Sequence, residues 1–91
     1  MPESPHRGVL RLSIPSDVTF HAVARDVAAR FAEYSGAASD VAAKLGEAVE
    51  RIAAHMRGKN IEFAMESRGR QLTVRASSGS ASEETSCPLP D

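Results

Sequence analysis

Lys44, Glu47, Arg51 and His55 stand at the spacing that puts unlike ionisable side chains on one side of a helix. At about 100° per residue, Arg51 follows Glu47 by about 40° and His55 follows by about 40° more, with Lys44 inside the same arc. The set holds a carboxylate, an imidazole and two cations, which by type are proton-transfer and anion-holding groups. Looking into a cleft, such a stripe forms a polar site. Looking into water, it is a solvated helix face, and that reading also accounts for each residue. Glu47 and Arg51 have the favourable i,i+4 order for a surface ion pair worth about 0.3–0.5 kcal/mol. His55 falls near the helix C-terminus, where a cation is favoured, and Lys44 needs only solvent.

Five elements must position the stripe. Residues 9–14 alternate, with Leu10, Leu12 and Ile14 on one side and Val9, Arg11 and Ser13 on the other. That pattern predicts a half-buried strand, stopped by Pro15. Ser16 and Asp17 are helix openers, and a helix is predicted over about 17–35. Its apolar stripe is Phe20, Val23, Val27, Phe31 and Tyr34, widened by Ala24 and Ala28, and Gly36 is its stop. Ser39 and Asp40 open a second helix, with Val41, Leu45, Ala48, Val49, Ile52 and Met56 as its apolar face and Gly58 at its end. Gly46 inside it costs up to about 1 kcal/mol relative to alanine, which close packing against the sheet or the first helix would explain. Residues 61–66 and 72–76 alternate again around Ser67-Arg68-Gly69-Arg70, the pattern of a β-hairpin. Phe63, Met65 and Met56 read as core.

From Ser77 onward the chain is rich in Ser and Glu, with Leu89 as its larger aliphatic and Cys87 as the single cysteine. Such a segment is predicted to stay disordered. The expectation is therefore an α+β two-layer sandwich in the order strand-helix-helix-strand-strand, with two helices on one face of a mainly antiparallel three-stranded sheet. Residues 1–7 are a flexible lead-in, 8–76 a single domain and 77–91 a disordered tail.

Composition limits what such a domain does. It has 91 residues, 42% hydrophobic, and 15 of the hydrophobic residues are alanine. A chain of this size buries roughly 60% of its unfolded surface and is marginal alone, so a partner subunit is expected. Net charge is −1, and aromatics are 4% with no tryptophan. Neither a phosphate backbone, a base-stacking surface nor an anionic membrane is suggested. One cysteine excludes an internal disulfide and a cysteine-based zinc site within one chain, and no metal site is assigned. No apolar run reaches the roughly 18 residues of a membrane span, and the start lacks the apolar core of a signal peptide. A cytoplasmic location is expected.

The segment Lys44-Leu45-Gly46-Glu47-Ala48-Val49-Glu50-Arg51-Ile52-Ala53-Ala54-His55, followed by a hairpin, resembles the first ATP-binding motif of the histidine-kinase-like (GHKL, or Bergerat) fold. The opening Leu10-Arg11-Leu12-Ser13-Ile14-Pro15-Ser16 is similar to that of the small bacterial anti-sigma factor serine/threonine kinases, and residues 8–79 follow their element order. The resemblance implies that Glu47 occupies the place of the general base. It implies an asparagine that holds Mg²⁺ where this chain has Arg51, and a guanidinium has no lone pair for a metal. An adenine-reading Asp-x-Gly-x-Gly segment corresponds to Ser77-Ser78-Gly79-Ser80-Ala81, so Gly79 matches while Ser77 replaces the aspartate. The glycine-rich lid and further strands of the family have no counterpart in the Ser/Glu/Pro tail.

The resemblance thus implies an anti-sigma-like regulatory protein that works by protein–protein binding, with its ATP site lost and no cofactor. Its degenerate nucleotide positions are Glu47, Arg51, His55, Ser77 and Gly79. The implied partner is a sigma factor or an anti-sigma antagonist, together with a second copy of the chain, docked on the first helix and first strand, where the family forms dimers, or on the uncovered sheet edge. The alternative is an ATP- and Mg²⁺-dependent protein-serine kinase, with Glu47 as base, completed by a partner chain. A third reading makes the likeness accidental and the chain a generic α+β dimer.

Overall fold

The computed structural model describes residues 8–56 and 58–90. The lead-in assigned to residues 1–7 lies outside them. Strand β1 (Gly8–Pro15) leads through a short 3-10 turn (Val18–Phe20) into helix α1 (His21–Tyr34) and helix α2 (Ser39–His55). Strands β2 (Asn60–Arg68), β3 (Gln71–Ser78) and β4 (Ala81–Pro88) follow. All four strands form one antiparallel sheet in the order β1-β2-β3-β4. The α+β class is as expected, but the three-stranded sheet is corrected to four strands, because residues 81–88 pair along β3 instead of forming a loose tail.

Tight turns make the β2–β3 and β3–β4 hairpins. Arg68 pairs with Gln71 across Gly69-Arg70, and Ser78 pairs with Ala81 across Gly79-Ser80. Gly69 and Gly79 both have φ +61°, the left-handed conformation that two-residue hairpin loops demand and that glycine takes without a Cβ clash. The second of these turns sends the chain back as β4. Leu72 then stands opposite Cys87, Val74 opposite Thr85 and Ala76 opposite Glu83.

Alternation divides the sheet into two faces. Ile14, Ile61, Phe63, Met65, Leu72, Val74, Ala76 and Cys87 are buried on the helix side. The opposite face carries Arg11, Ser13, Glu62, Glu66, Thr73, Arg75, Ser77 and Glu84, tied by contacts such as Ser13 Oγ to Glu62 at 3.1 Å and Arg75 to Glu84 at 3.8 Å. From the helix layer, Leu45, Val49, Ile52 and Ala53 of α2 and Met56 at its C-cap close the core, and Leu89 beyond β4 is buried with them.

The first helix begins differently from the expectation, behind a 3-10 turn. Asp17 does cap, accepting from the Thr19 N–H at 2.9 Å, but it caps the 3-10 turn. That bond holds its carboxyl below the usual carboxylate range. Ser39 is the first residue of α2, so Ser39 and Asp40 open the second helix as expected. The greater difference is the face that α1 buries. Its buried apolar residues are Ala24, Ala28 and Ala32, whereas Phe20, Val23 and Tyr34 are exposed and Val27 and Phe31 half-buried. Alanines win the inner face because α1 and α2 pack closely. A Cβ on Gly46 would lie 2.8 Å from the Arg25 carbonyl oxygen and 3.3 Å from Ala29 Cβ. The neighbour that Gly46 accommodates is therefore the first helix.

Candidate functional site

The polar stripe of α2 meets β4. Val41, Lys44, Leu45 and Ala48 line a groove of about 320 Å³ with Thr85, Ser86, Cys87 and Pro88. Ala48, Arg51, Ile52 and His55 line a second, of about 290 Å³, with Glu83, Glu84 and Thr85. The two share Ala48 and Thr85, so one shallow trough runs the length of the strand. Three of the four stripe residues, Lys44, Arg51 and His55, stand on its wall. Glu47 does not line it, since it sits at the trailing end of the arc and points further into solvent. The expected Glu47–Arg51 ion pair is not formed, and no other ion pair among the described residues involves Lys44, Glu47, Arg51 or His55.

The remaining degenerate nucleotide positions lie elsewhere. Ser77 is half-buried on the sheet face away from the helices, paired with Glu62 of β2 and Ser82 of β4. Its neighbour Ser78 points to the helix side, where its hydroxyl donates to the Asn60 carbonyl at 2.9 Å. Gly79 forms the exposed turn into β4. Ser77 and Glu47 therefore do not converge on one cavity, because a sheet separates them. On the trough wall Arg51 offers N–H donors alone, which suits a carboxylate or phosphate and not a cation. Among the described residues, no group of three or more His, Cys, Asp and Glu side chains is gathered as for a metal ion.

Two features escaped the sequence. Glu83, Thr85 and Cys87, assigned to the tail, form the floor of the trough, and the Gly79-Ser80 pair between Ser78 and Ala81 is the hairpin signal that could have found them. The other is the outer side of α1. Val27, Arg30, Phe31 and Tyr34 line a largely apolar groove of about 550 Å³ with Gly8, Val9 and Leu10 of β1. Val9 is 64% exposed and Tyr34 86%, so large apolar side chains meet water at one edge of the sheet.

Burial raises the Cys87 thiol above its usual range, which makes it a poor nucleophile at neutral pH. Among the described residues, no helix is long and apolar enough to cross a membrane. No protein-family model matches the chain, and no curated protein matches it.

Proposed function

We propose that the chain is an anti-sigma-like regulatory module of the cytoplasm that acts by docking other proteins, with a nucleotide site that no longer works as one. The observation that carries this reading is the outer face of α1 beside β1. Phe20, Val23 and Tyr34 are exposed there and Val27 and Phe31 half-buried, while alanines fill the inner face of the same helix. A contiguous apolar patch on a small domain marks an interaction surface more often than chance exposure. This patch borders a strand with a neighbour on one side among the described residues, so a second copy or a regulatory protein fits it. Loss of the nucleotide site is supported by Arg51 in a metal ligand's place, by Ser77 on the far face of the sheet, and by Glu47 outside the trough. No catalytic step is derived from that set.

A competing reading keeps the chain as an ATP- and Mg²⁺-dependent protein-serine kinase completed by a partner. It is favoured by the cations Lys44 and Arg51 on one wall, where they can touch phosphate. Two measurements separate the readings. Co-expression with a sigma factor or an anti-sigma antagonist is expected to give a complex that survives purification. Calorimetric titration with ATP and Mg²⁺ is expected to show no saturable heat. Binding in the micromolar range would overturn the proposed loss and restore the kinase reading.

A further inference from the structure

We propose that β4 is a strap, which opens as a unit about the Gly79-Ser80 turn while the helices and β1–β3 stay folded, and which a clasp at Cys87 and Leu89 holds shut. The inference goes beyond the binding-module reading and does not depend on it. β4 has one buried side chain, Cys87, and six of its eight are exposed. β2 and β3 each bury four. Ordering a strand costs backbone freedom at every residue, and burial of apolar surface is the main term that offsets it. Along β4 that burial is confined to one end. A segment with few buried contacts opens at lower free energy than the core beside it. Without β4 there remain three paired strands under two packed helices, enough sheet to stand by itself.

Hinge, strap and clasp follow one another along the chain. At the hinge Gly79 has φ +61°, and nothing lies within 4 Å of the place a Cβ would take, so the turn is not packed against a neighbour. Between hinge and clasp, β4 reaches β3 through exposed side-chain contacts, Arg75 to Glu84 at 3.8 Å and Gln71 Nε2 to Ser86 Oγ at 3.2 Å, for which water competes. At the clasp Leu89 is buried, and Pro90 lies by the turn between the helices, where a Cβ on Gly36 would be 3.8 Å from its Cγ. Pro88 and Pro90 have no N–H. Leu89 is therefore the one backbone donor of residues 88–90, and it gives its N–H to the Arg70 carbonyl. The trough between α2 and β4 is the seam along which the strap parts. Opening uncovers the outer edge of β3, whose Leu72, Val74 and Ala76 are buried while the strap is closed.

The test uses the full chain with Cys87 as its reporter. Alkylation of Cys87 by iodoacetamide is followed by mass in increasing urea below the unfolding transition, and amide exchange by NMR over the same range. Cys87 labelling and exchange of the β4 amides that pair with β3 should report one shared opening. Its urea dependence should be less than about half that of global unfolding, because it exposes one strand and its seam. Phe63 and Met65, on a strand paired on both sides, should exchange with the full urea dependence. Leu89→Ala should speed Cys87 labelling about tenfold or more, while circular dichroism keeps both helices. Labelling of Cys87 with the slope of global unfolding would overturn the strap, since β4 would then leave only with the whole fold. Labelling of Cys87 while the amides of residues 82–85 stay protected would overturn it as well, because the end alone then frays. Loss of the helices in Leu89→Ala would show that β4 is not separable, and an unchanged labelling rate would remove the clasp; either result ends the proposal.

Discussion

Gly46 sits where α2 crosses α1, and its missing side chain sets the distance between the two helices. A Cβ there would press to 2.8 Å on the Arg25 carbonyl oxygen, a backbone atom of α1 that cannot rotate away. Gly46→Ala gains about 1 kcal/mol of helix propensity and incurs about 1–3 kcal/mol of overpacking. The expected result is a net loss, read as a lower urea midpoint with an unchanged slope; a raised midpoint would mean that the helices have room. Cys87 gives a second prediction. Burial raises the pKa of its thiol in the folded state, favouring the neutral form. Its contribution to stability is therefore complete below the unfolded thiol's range and falls as pH rises through the folded value. At one mildly alkaline pH, iodoacetamide should label Cys87 much more slowly in the folded chain than in urea. Equal rates would place Cys87 outside the core. The 3.6-residue period made three trough residues, Lys44, Arg51 and His55, legible in the sequence. It did not separate Glu47 from them, because only the position of β4 decides which part of that arc faces protein. Ser77 was misleading for another reason: resemblance matches positions along a chain, whereas one residue's difference in a strand reverses the face that a side chain takes.

At the scale of elements, β4 is the part of the fold that composition concealed. Its sequence, Ala-Ser-Glu-Glu-Thr-Ser-Cys-Pro, buries Cys87 and otherwise faces the trough or the open side of the sheet. An edge strand needs few apolar residues, and glutamates on it resist unwanted pairing. The polarity that argued for disorder is thus the polarity an edge strand uses. β1, β2 and β3 were legible because each has a buried face and alternates fully. Both helices were legible in extent, but α1 was not in orientation. A stripe of Phe, Val and Tyr outranks one of alanines on any hydrophobicity scale, yet close helix packing admits only the alanines. Leu89 tests the fourth strand directly. It is 5% exposed, and its N–H donates to the Arg70 carbonyl at 2.6 Å, which anchors the end of β4 beside the β2–β3 turn. Leu89→Ala should cost about 2–5 kcal/mol, measured by denaturant unfolding. A cost near zero would return residues 77–90 to the disordered tail that their composition suggests.

For the molecule as a whole, the two sheet edges differ in chemistry, and the difference bears on assembly. The β4 edge carries Glu83 and Glu84 and resists meeting itself. The β1 edge carries one charge, Arg11, with Leu10 and Leu12 half-buried above it and the bulky face of α1 alongside. Antiparallel pairing of β1 with its copy about Leu12 would put Leu10 opposite Ile14 and Arg11 opposite Ser13. The two arginines are then kept apart, and the sheet becomes continuous over eight strands. The same two-fold axis brings the α1 helices side by side, so Phe20, Val23, Val27 and Tyr34 gain apolar neighbours in place of water. Such an isologous contact closes on itself and stops at two copies. Light scattering on the purified chain should therefore give about twice the 9.7 kDa of one copy. Val23→Glu with Tyr34→Glu alters side chains that are 42% and 86% exposed in the single chain, so the monomer fold should survive by circular dichroism. The buried glutamates would lack partners in the dimer, at several kcal/mol per interface, enough to shift the mass to that of one copy. A wild-type mass of one copy at high micromolar concentration, or a double variant that stays dimeric, would show that α1 and β1 do not form the seam.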